Sequence, residues 1–279
     1  MNLKLGNKSI SRIGYGAMRL PGVREVREDP ELACDLLREA ASLGVNVIDT
    51  ADFYGSGVAN RLIAKALKPY SEDLIISTKV GVKTGAEGRP TPAATPEEIK
   101  ATVKRNLEGL GTDSLDLVFL RLPGGPLADS GVPVQESMAC LAELQSSGII
   151  KHIGLSSATL EQIETCNGIA SIAAIQNAYF VGCGDSNDVL KLCTAEAIPF
   201  FAYFPLGMGK LIQKKVDLRP FATAHQVSES QVALAWLLAL SPVLVPIPGT
   251  SKLEHLRENM ASMNVKLSSS EVETLTNVA

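Results

Sequence analysis

Apolar positions fall into two rhythms that alternate along the chain. Short apolar runs at 13–17, 45–48, 74–80, 115–120, 152–155, 172–176, 198–203 and 243–247 have the length of buried strands. Helically spaced stretches follow them at 30–43, 59–67, 95–111, 135–147, 160–165, 187–196, 228–240 and 252–260. The punctuation agrees. Pro30 suits a first helical position, Gly44 a C-terminal cap and Pro69 a stop, and Thr95-Pro-Glu-Glu opens a capping box. Strand–helix alternation implies parallel strands joined by right-handed crossovers. Eight such units in 279 residues predict an α/β fold, a closed (β/α)8 TIM barrel rather than an open sheet. An N-terminal β-hairpin turning at Gly6-Asn7 is expected before it, and an extra C-terminal helix near 269–277 after it. The Pro/Gly-rich stretches 81–96 and 121–133 read as long loops. No linker divides the chain, so 1–279 is expected to form a single domain.

Composition narrows the function classes. Lysine and arginine total 26 against 30 acids, and the net charge of −4 argues against nucleic-acid or anionic-membrane partners. A hydrophobic content of 46% with 20% charged residues excludes a disordered chain. The five cysteines are scattered without a C-x-x-C pair, which suits a reducing compartment and offers no disulfide framework or cysteine zinc site. No signal-peptide run opens the chain and no window is apolar enough to span a membrane, so a cytoplasmic location is expected. The three histidines, 152, 225 and 255, lie at no metal spacing, so no metal is expected and His152 reads as structural. There is no G-x-S-x-G elbow and no P-loop; Gly14 to Arg19 begins like a dinucleotide fingerprint but lacks the final glycine.

Barrel active sites lie at the C-terminal ends of strands. Asp49, Lys79, Arg121, Ser156, Ser157, Gln176 and Asn177 fall there, with Tyr54 in the loop after Asp49. A carboxylate closing an apolar run is costly without a partner, and Lys79 on the next strand can supply one. The pair could be purely structural. Joined with Tyr54 it suggests a proton donor: the ammonium favours the phenolate and lowers a pKa from about 10. Lys79 could instead form a Schiff base, as in barrel aldolases.

In the segments NVIDTADFYG (46–55) and STKV (77–80) the chain resembles the aldo-keto reductase superfamily. KHIGLSS (151–157), YFPLGMG (203–209) and IPGTSK (247–252), running on to REN (257–259), agree with it in the same order. The resemblance implies a barrel that binds NADPH without a Rossmann domain and transfers hydride to a small-molecule aldehyde or ketone. It implies Tyr54 as proton donor, tuned by Asp49 and Lys79, with Arg121 completing the catalytic set. Ser156, Ser157 and Gln176 would hold the nicotinamide carboxamide, Tyr203 would stack on the ring, and Gly16, Ala17 and Met18 would lie near it together with Asp49. Phe204, Pro205, Leu206, Gly207, Gly209 and Leu211 would border the pyrophosphate. Ile247, Gly249, Thr250, Ser251 and Lys252 would receive the 2′-phosphate at a helix start, with His255, Glu258 and Asn259 at the adenine.

Three positions depart from the family pattern. Arg121 stands where a histidine is usual, Ser157 where many members have asparagine, and His255 where many have glutamine or arginine. The arginine, with GYGAM (14–18), FPLG (204–207), ALAWLL (233–238) and LRENM (256–260), resembles a bacterial subgroup that includes pyridoxal reductases, making pyridoxal a candidate substrate. Arg121 would act in the pocket or else pair with a loop acid such as Asp129. An NADP(H)-binding regulatory subunit with little turnover is the alternative reading, and oligomeric state is left open.

Overall fold

Eight of the apolar runs become the staves of one parallel sheet in the computed structural model, which describes residues 3–124, 127–209 and 217–277. In chain order the staves are β3 (Tyr15–Gly16), β4 (Val47–Asp49), β5 (Ile75–Thr84), β7 (Leu115–Arg121), β8 (Ile150–Ser156), β9 (Ile172–Ala178), β10 (Phe200–Tyr203) and β11 (Leu244–Pro246). Each pairs in parallel with the next. The sheet closes where Gly14 N donates to Pro246 O at 3.0 Å and Gly16 N to Pro248 O at 3.1 Å. Prolines have no N–H to return, so this seam is bonded in one direction only. It is also tight: a Cβ on Gly16 would lie 2.7 Å from Ile247 O, and one on Gly249 2.6 Å from Gly16 O. The expected hairpin, β1 (Lys4–Leu5) and β2 (Lys8–Ser9), turns at Gly6 with φ +59°.

The helices that wrap the barrel are α1 (Arg24–Glu28), α2 (Glu31–Ser42), α3 (Val58–Leu67), α4 (Pro96–Leu110), α5 (Val134–Ser146), α6 (Leu160–Asn167), α7 (Asn187–Ala195), α8 (Arg219–His225), α9 (Glu229–Leu240), α10 (Leu253–Ala261) and α11 (Ser269–Thr276). Thr95 and Glu98 form the expected capping box on α4, and Gly111 ends that helix in the left-handed region. Pro30 sits one residue outside α2, as its cap. α9 is buried from Val232 to Leu237, and the C-terminal α11 docks on it through Leu275 and a 3.1 Å bond from Trp236 Nε1 to Thr276 Oγ1.

Two regions differ from expectation. The stretch 81–96 is not a plain loop: β5 runs on to Thr84 and folds back onto β6 (Pro90–Ala93) as an antiparallel hairpin. Prolines at 90 and 92 read as breakers, but an edge strand tolerates missing N–H groups. The short helices α1 and α8 have too few turns for a periodic signal.

At the N-terminal end of the barrel Asp116 accepts from Lys8 Nζ at 3.0 Å, from Lys151 Nζ at 3.0 Å and from Ile76 N at 3.3 Å. Burial pushes its carboxyl up, but the two lysines outweigh that and hold it below the ordinary value. A folded-state pKa below the unfolded one adds stability at pH above about 4, and that stability is lost as the pH falls through the carboxylate range. We therefore expect Asp116→Asn to destabilise by about 1–3 kcal/mol at pH 7 and by much less at pH 3. Thermal melts at both pH values check this; equal losses would exclude an ionic origin.

Candidate functional site

The C-terminal ends of the strands open into a cleft of about 940 Å³. Side chains alternate across a strand, which sorts two neighbouring strands into an inner and an outer face. Asp49 on β4 and Ser77 and Lys79 on β5 meet inside the barrel, while Thr50 and Thr78 bond to residues of the helix layer. Asp49 and Lys79 are only 3% and 5% exposed. Lys79 Nζ lies 2.8 and 2.7 Å from the two carboxylate oxygens and 3.1 Å from Thr50 O. The carboxylate also accepts from Ser77 Oγ at 2.9 Å and Gln176 Nε2 at 2.8 Å. Such complete pairing offsets the desolvation of both ions. Burial disfavours the ammonium, but the Asp49 carboxylate opposes this most strongly, and the Lys79 pKa stands above the ordinary value. A lysine bonded to both oxygens of Asp49 and to Thr50 O is a poor nucleophile, which speaks against the Schiff-base alternative.

Tyr54 sits in the loop after β4, 8% exposed, with Lys79 Nζ 5.0 Å from its ring centroid and Phe53 packed edge-on at 4.8 Å. The expected lowering of its pKa does not occur. Burial pushes the phenol up, and the ammonium of Lys79 and the guanidinium of Arg121 only partly oppose it. Shutting out water penalises a phenolate more than the two cations favour it. The phenol is thereby kept protonated, the state in which it can donate.

Arg121 closes β7 on the same cleft. Its Nη1 donates to Leu122 O, and its Nη2 to Gly124 O at 3.0 Å. Burial lowers its pKa, against the pull of Tyr203 and Tyr54. No carboxylate among the described residues pairs with it. Asp129 accepts from Gly131 N at 3.0 Å instead, so that pairing is absent. The residues lining the cleft include Arg19, Lys79 and Arg121 but one acid, Asp49. The cleft is therefore positive although the chain carries −4.

The remaining sequence-predicted residues divide. Gly16, Met18, Ser156, Gln176, Tyr203, Phe204, Pro205, Leu206, Ile247, Gly249 and His255 line the cleft. Ala17 is fully buried rather than on the wall, and Gly207 is buried too. Ser157 departs from its expected place: with φ +60° it turns its hydroxyl onto Tyr203 Oη at 2.8 Å instead of lining the cavity. Gly209 ends the short turn at 207–209, and Leu211 lies outside the described residues. Thr250 Oγ1 accepts from Lys252 N at 3.1 Å at the start of α10. Lys252 itself is exposed and Ser251 and Glu258 are half-buried, while Asn259 is buried at 5%. Val82, Thr84 and Leu127 also line the cleft but fell in stretches read as loops; Phe53 lies within a recognised motif and Arg19 borders another, and both could have been inferred from them.

Among the described residues two buried side-chain atoms, Arg12 Nε and Gln176 Oε1, lack a partner, and only Gln176 lines the cleft, its Nε2 committed to Asp49. An orphaned acceptor on this wall is made for an amide N–H, so the residues fit a nicotinamide carboxamide. The first turn of α10 offers backbone N–H groups beside the Lys252 ammonium, a fit for an anion. Among the described residues no group of His, Cys, Asp or Glu could hold a metal ion, and no helix is long and apolar enough to cross a membrane.

The chain is similar to known proteins in sequence and in fold. Residues 12–279 match the aldo/keto reductase family model. The chain is 42% identical to pyridoxine 4-dehydrogenase of Escherichia coli (strain K12), over 99% of its own length and 97% of the relative's. Its fold is similar to that of the thermostable aldo-keto reductase Tm1743 in complex with epalrestat, at TM-score 0.83 and 28% identity, covering 99% and 98% of the two chains. It is equally similar, at TM-score 0.83 and 24% identity with 98% and 93% covered, to an aldo-keto reductase from Klebsiella pneumoniae in complex with NADPH. With a tyrosine, a lysine and an aspartate assembled at the mouth of a closed barrel, and a family match over almost its whole length, the chain belongs to the aldo/keto reductase family.

Proposed function

We propose that the chain works as one barrel domain, 1–279, and reduces an aldehyde or ketone to the alcohol with NADPH. The observation that carries this reading is the convergence of Asp49, Lys79, Tyr54 and Arg121 on one cleft. Bound NADPH supplies the hydride. Tyr54 gives its proton to the oxygen of the substrate carbonyl as negative charge develops there. Lys79, fixed by Asp49, stabilises the phenolate left behind. Arg121 has five N–H donors and commits two to its own loop, so others remain for the carbonyl oxygen or an anionic neighbour.

Gln176 Oε1 and Ser156 hold the carboxamide, and Tyr203 supports one ring face, steadied by Ser157 and by the edge of Phe204 at 5.0 Å. Phe204, Pro205, Leu206, Gly207 and Gly209 border the pyrophosphate. Ile247, Gly249, Thr250, Ser251 and Lys252 receive the 2′-phosphate, and His255, Glu258 and Asn259 flank the adenine. Pyridoxal is the candidate substrate. The similarity to a pyridoxine 4-dehydrogenase supports it, and its ionisable ring oxygen beside the aldehyde suits the carboxylate-free Arg121. A panel of aldehydes including pyridoxal, followed by loss of NADPH absorbance, tests the reading. No turnover with any member would overturn it.

Cofactor choice is testable separately. The Lys252 ammonium makes no hydrogen bond or ion pair with another described residue, so it is free to pair with a 2′-phosphate. A charge-assisted contact is worth about 1.5–3 kcal/mol, or roughly ten- to a hundredfold in affinity. Wild type is expected to prefer NADPH over NADH by that factor, and Lys252→Ala to lose most of the preference. Titration of both cofactors against both proteins checks it.

A further inference from the structure

Behind the Asp49–Lys79 pair lies a polar chain that the reaction does not use. Thr50, Asn60, Thr78 and Asn106 are all fully buried. Thr50 Oγ1 donates to Asn60 Oδ1 at 2.8 Å, and Asn60 Nδ2 donates to Asn106 Oδ1 at 2.8 Å. Thr78 Oγ1 donates to the same Asn106 Oδ1 at 2.5 Å, and Asn106 Nδ2 donates to Thr102 O at 3.0 Å. Both amides use their oxygen and their nitrogen, so their orientation is fixed by the network. The chain runs from the end of β4 through α3 and α4 back to β5. It therefore ties together the two strand ends that carry Asp49 and Lys79.

A network in which every side-chain oxygen and nitrogen is bonded specifies one arrangement between barrel and helices, because any slip leaves a buried donor or acceptor unpaired. An apolar side chain at the same positions would fill the space and permit small shifts. The strand ends here cannot shift freely. Thr50 supplies more than its hydroxyl: its carbonyl oxygen receives Lys79 Nζ at 3.1 Å. Thr78 is the residue immediately before Lys79. The tie continues to the Tyr54 loop, where Arg105 of α4 pairs with Asp52 at 2.7 Å and also donates to Thr102 Oγ1 at 2.9 Å.

We propose that Thr50, Asn60, Thr78 and Asn106 are positioning residues that hold the Lys79 ammonium against Asp49 and beside Tyr54 from the helix layer. The inference rests on the reading of Tyr54 as proton donor and Lys79 as its partner. A misplaced ammonium stabilises the phenolate less, so the loss falls on turnover and not on cofactor binding.

The experiment compares Thr50→Val and Thr78→Val, which keep the shape and delete the hydroxyl, with Thr50→Ser and Thr78→Ser, which keep the hydroxyl. Measured are kcat, KM for the aldehyde, the dissociation constant for NADPH and the melting temperature, with Tyr54→Phe alongside. Each valine variant is expected to lower kcat by about ten- to a hundredfold while the NADPH constant stays within about twofold of wild type. Each serine variant is expected to recover kcat to within about threefold. Should a valine variant yield no folded protein, the alanine variant at that position takes its place against the same serine control. Wild-type kcat in a folded variant lacking the hydroxyl overturns the proposal. So does an equal loss in the serine and valine variants, because the serine variants keep the hydroxyl and the loss then does not follow from its deletion. Normal turnover by Tyr54→Phe overturns the catalytic reading and this inference with it. An inactive Tyr54→Phe beside fully active valine variants overturns the inference alone.

Discussion

Tyr54→Phe is expected to lower kcat by about 10²- to 10⁴-fold, close to the limit of detection, while NADPH affinity stays nearly unchanged. The magnitude is that of a positioned general acid, needed only as the alkoxide develops. The variant keeps the ring that packs against Phe53 and faces the Lys79 ammonium, so the pocket walls should hold their shape. Because burial keeps the phenol protonated, the wild-type enzyme should reduce its substrate with no loss of donor across neutral pH. Single-turnover and steady-state assays with one aldehyde, together with a cofactor titration, separate the two effects. Turnover at the wild-type rate would remove Tyr54 from the mechanism.

Arg121→Ala carries the second large effect. Removing one preorganised donor from a developing oxyanion costs about 2.7–4 kcal/mol of transition-state stabilisation, or 10²–10³ in rate. No carboxylate among the described residues neutralises this guanidinium, and its charge reaches both Tyr54 and Tyr203. Anionic aldehydes should therefore lose more than neutral ones of the same size. Arg121→His should recover part of the rate on neutral aldehydes, since a neutral imidazole still donates one hydrogen bond. Retention of full activity by Arg121→Ala on every substrate would leave the residue to its contacts with Leu122 and Gly124.

The family motifs and the Asp49–Lys79 pairing were legible because the chemistry forces them. A carboxylate at the end of an apolar run needs a cation within reach, and Lys79 stands on the adjacent strand. Whether Tyr54 is acidified was not legible. Its environment depends on how completely the β4 loop closes over it, and no spacing along the chain encodes that. Ser157 likewise depends on a left-handed backbone that turns it to Tyr203. Asn60 and Asn106 lie within helical patterns, where asparagine reads as an exposed polar position. Only the packing of α3 and α4 on β4 and β5 reveals them as fully buried links.

By itself, then, the sequence determined the strand–helix alternation, the eight-fold count and the capping box that opens α4. These follow from two local facts: strands covered on both faces need unbroken apolar runs, and helix ends need hydroxyl or glycine caps. The tertiary structure decided three things that rest on contacts between distant segments. It seated the proline-bearing β6 as an edge strand on Gly81–Thr84, the part of β5 that runs past its pairing with β7, where missing N–H groups are harmless. It closed the barrel through one-directional bonds from Gly14 and Gly16 to the carbonyls of Pro246 and Pro248. And it set the protonation of Tyr54, because desolvation is a property of everything packed around a group and not of its neighbours in the chain.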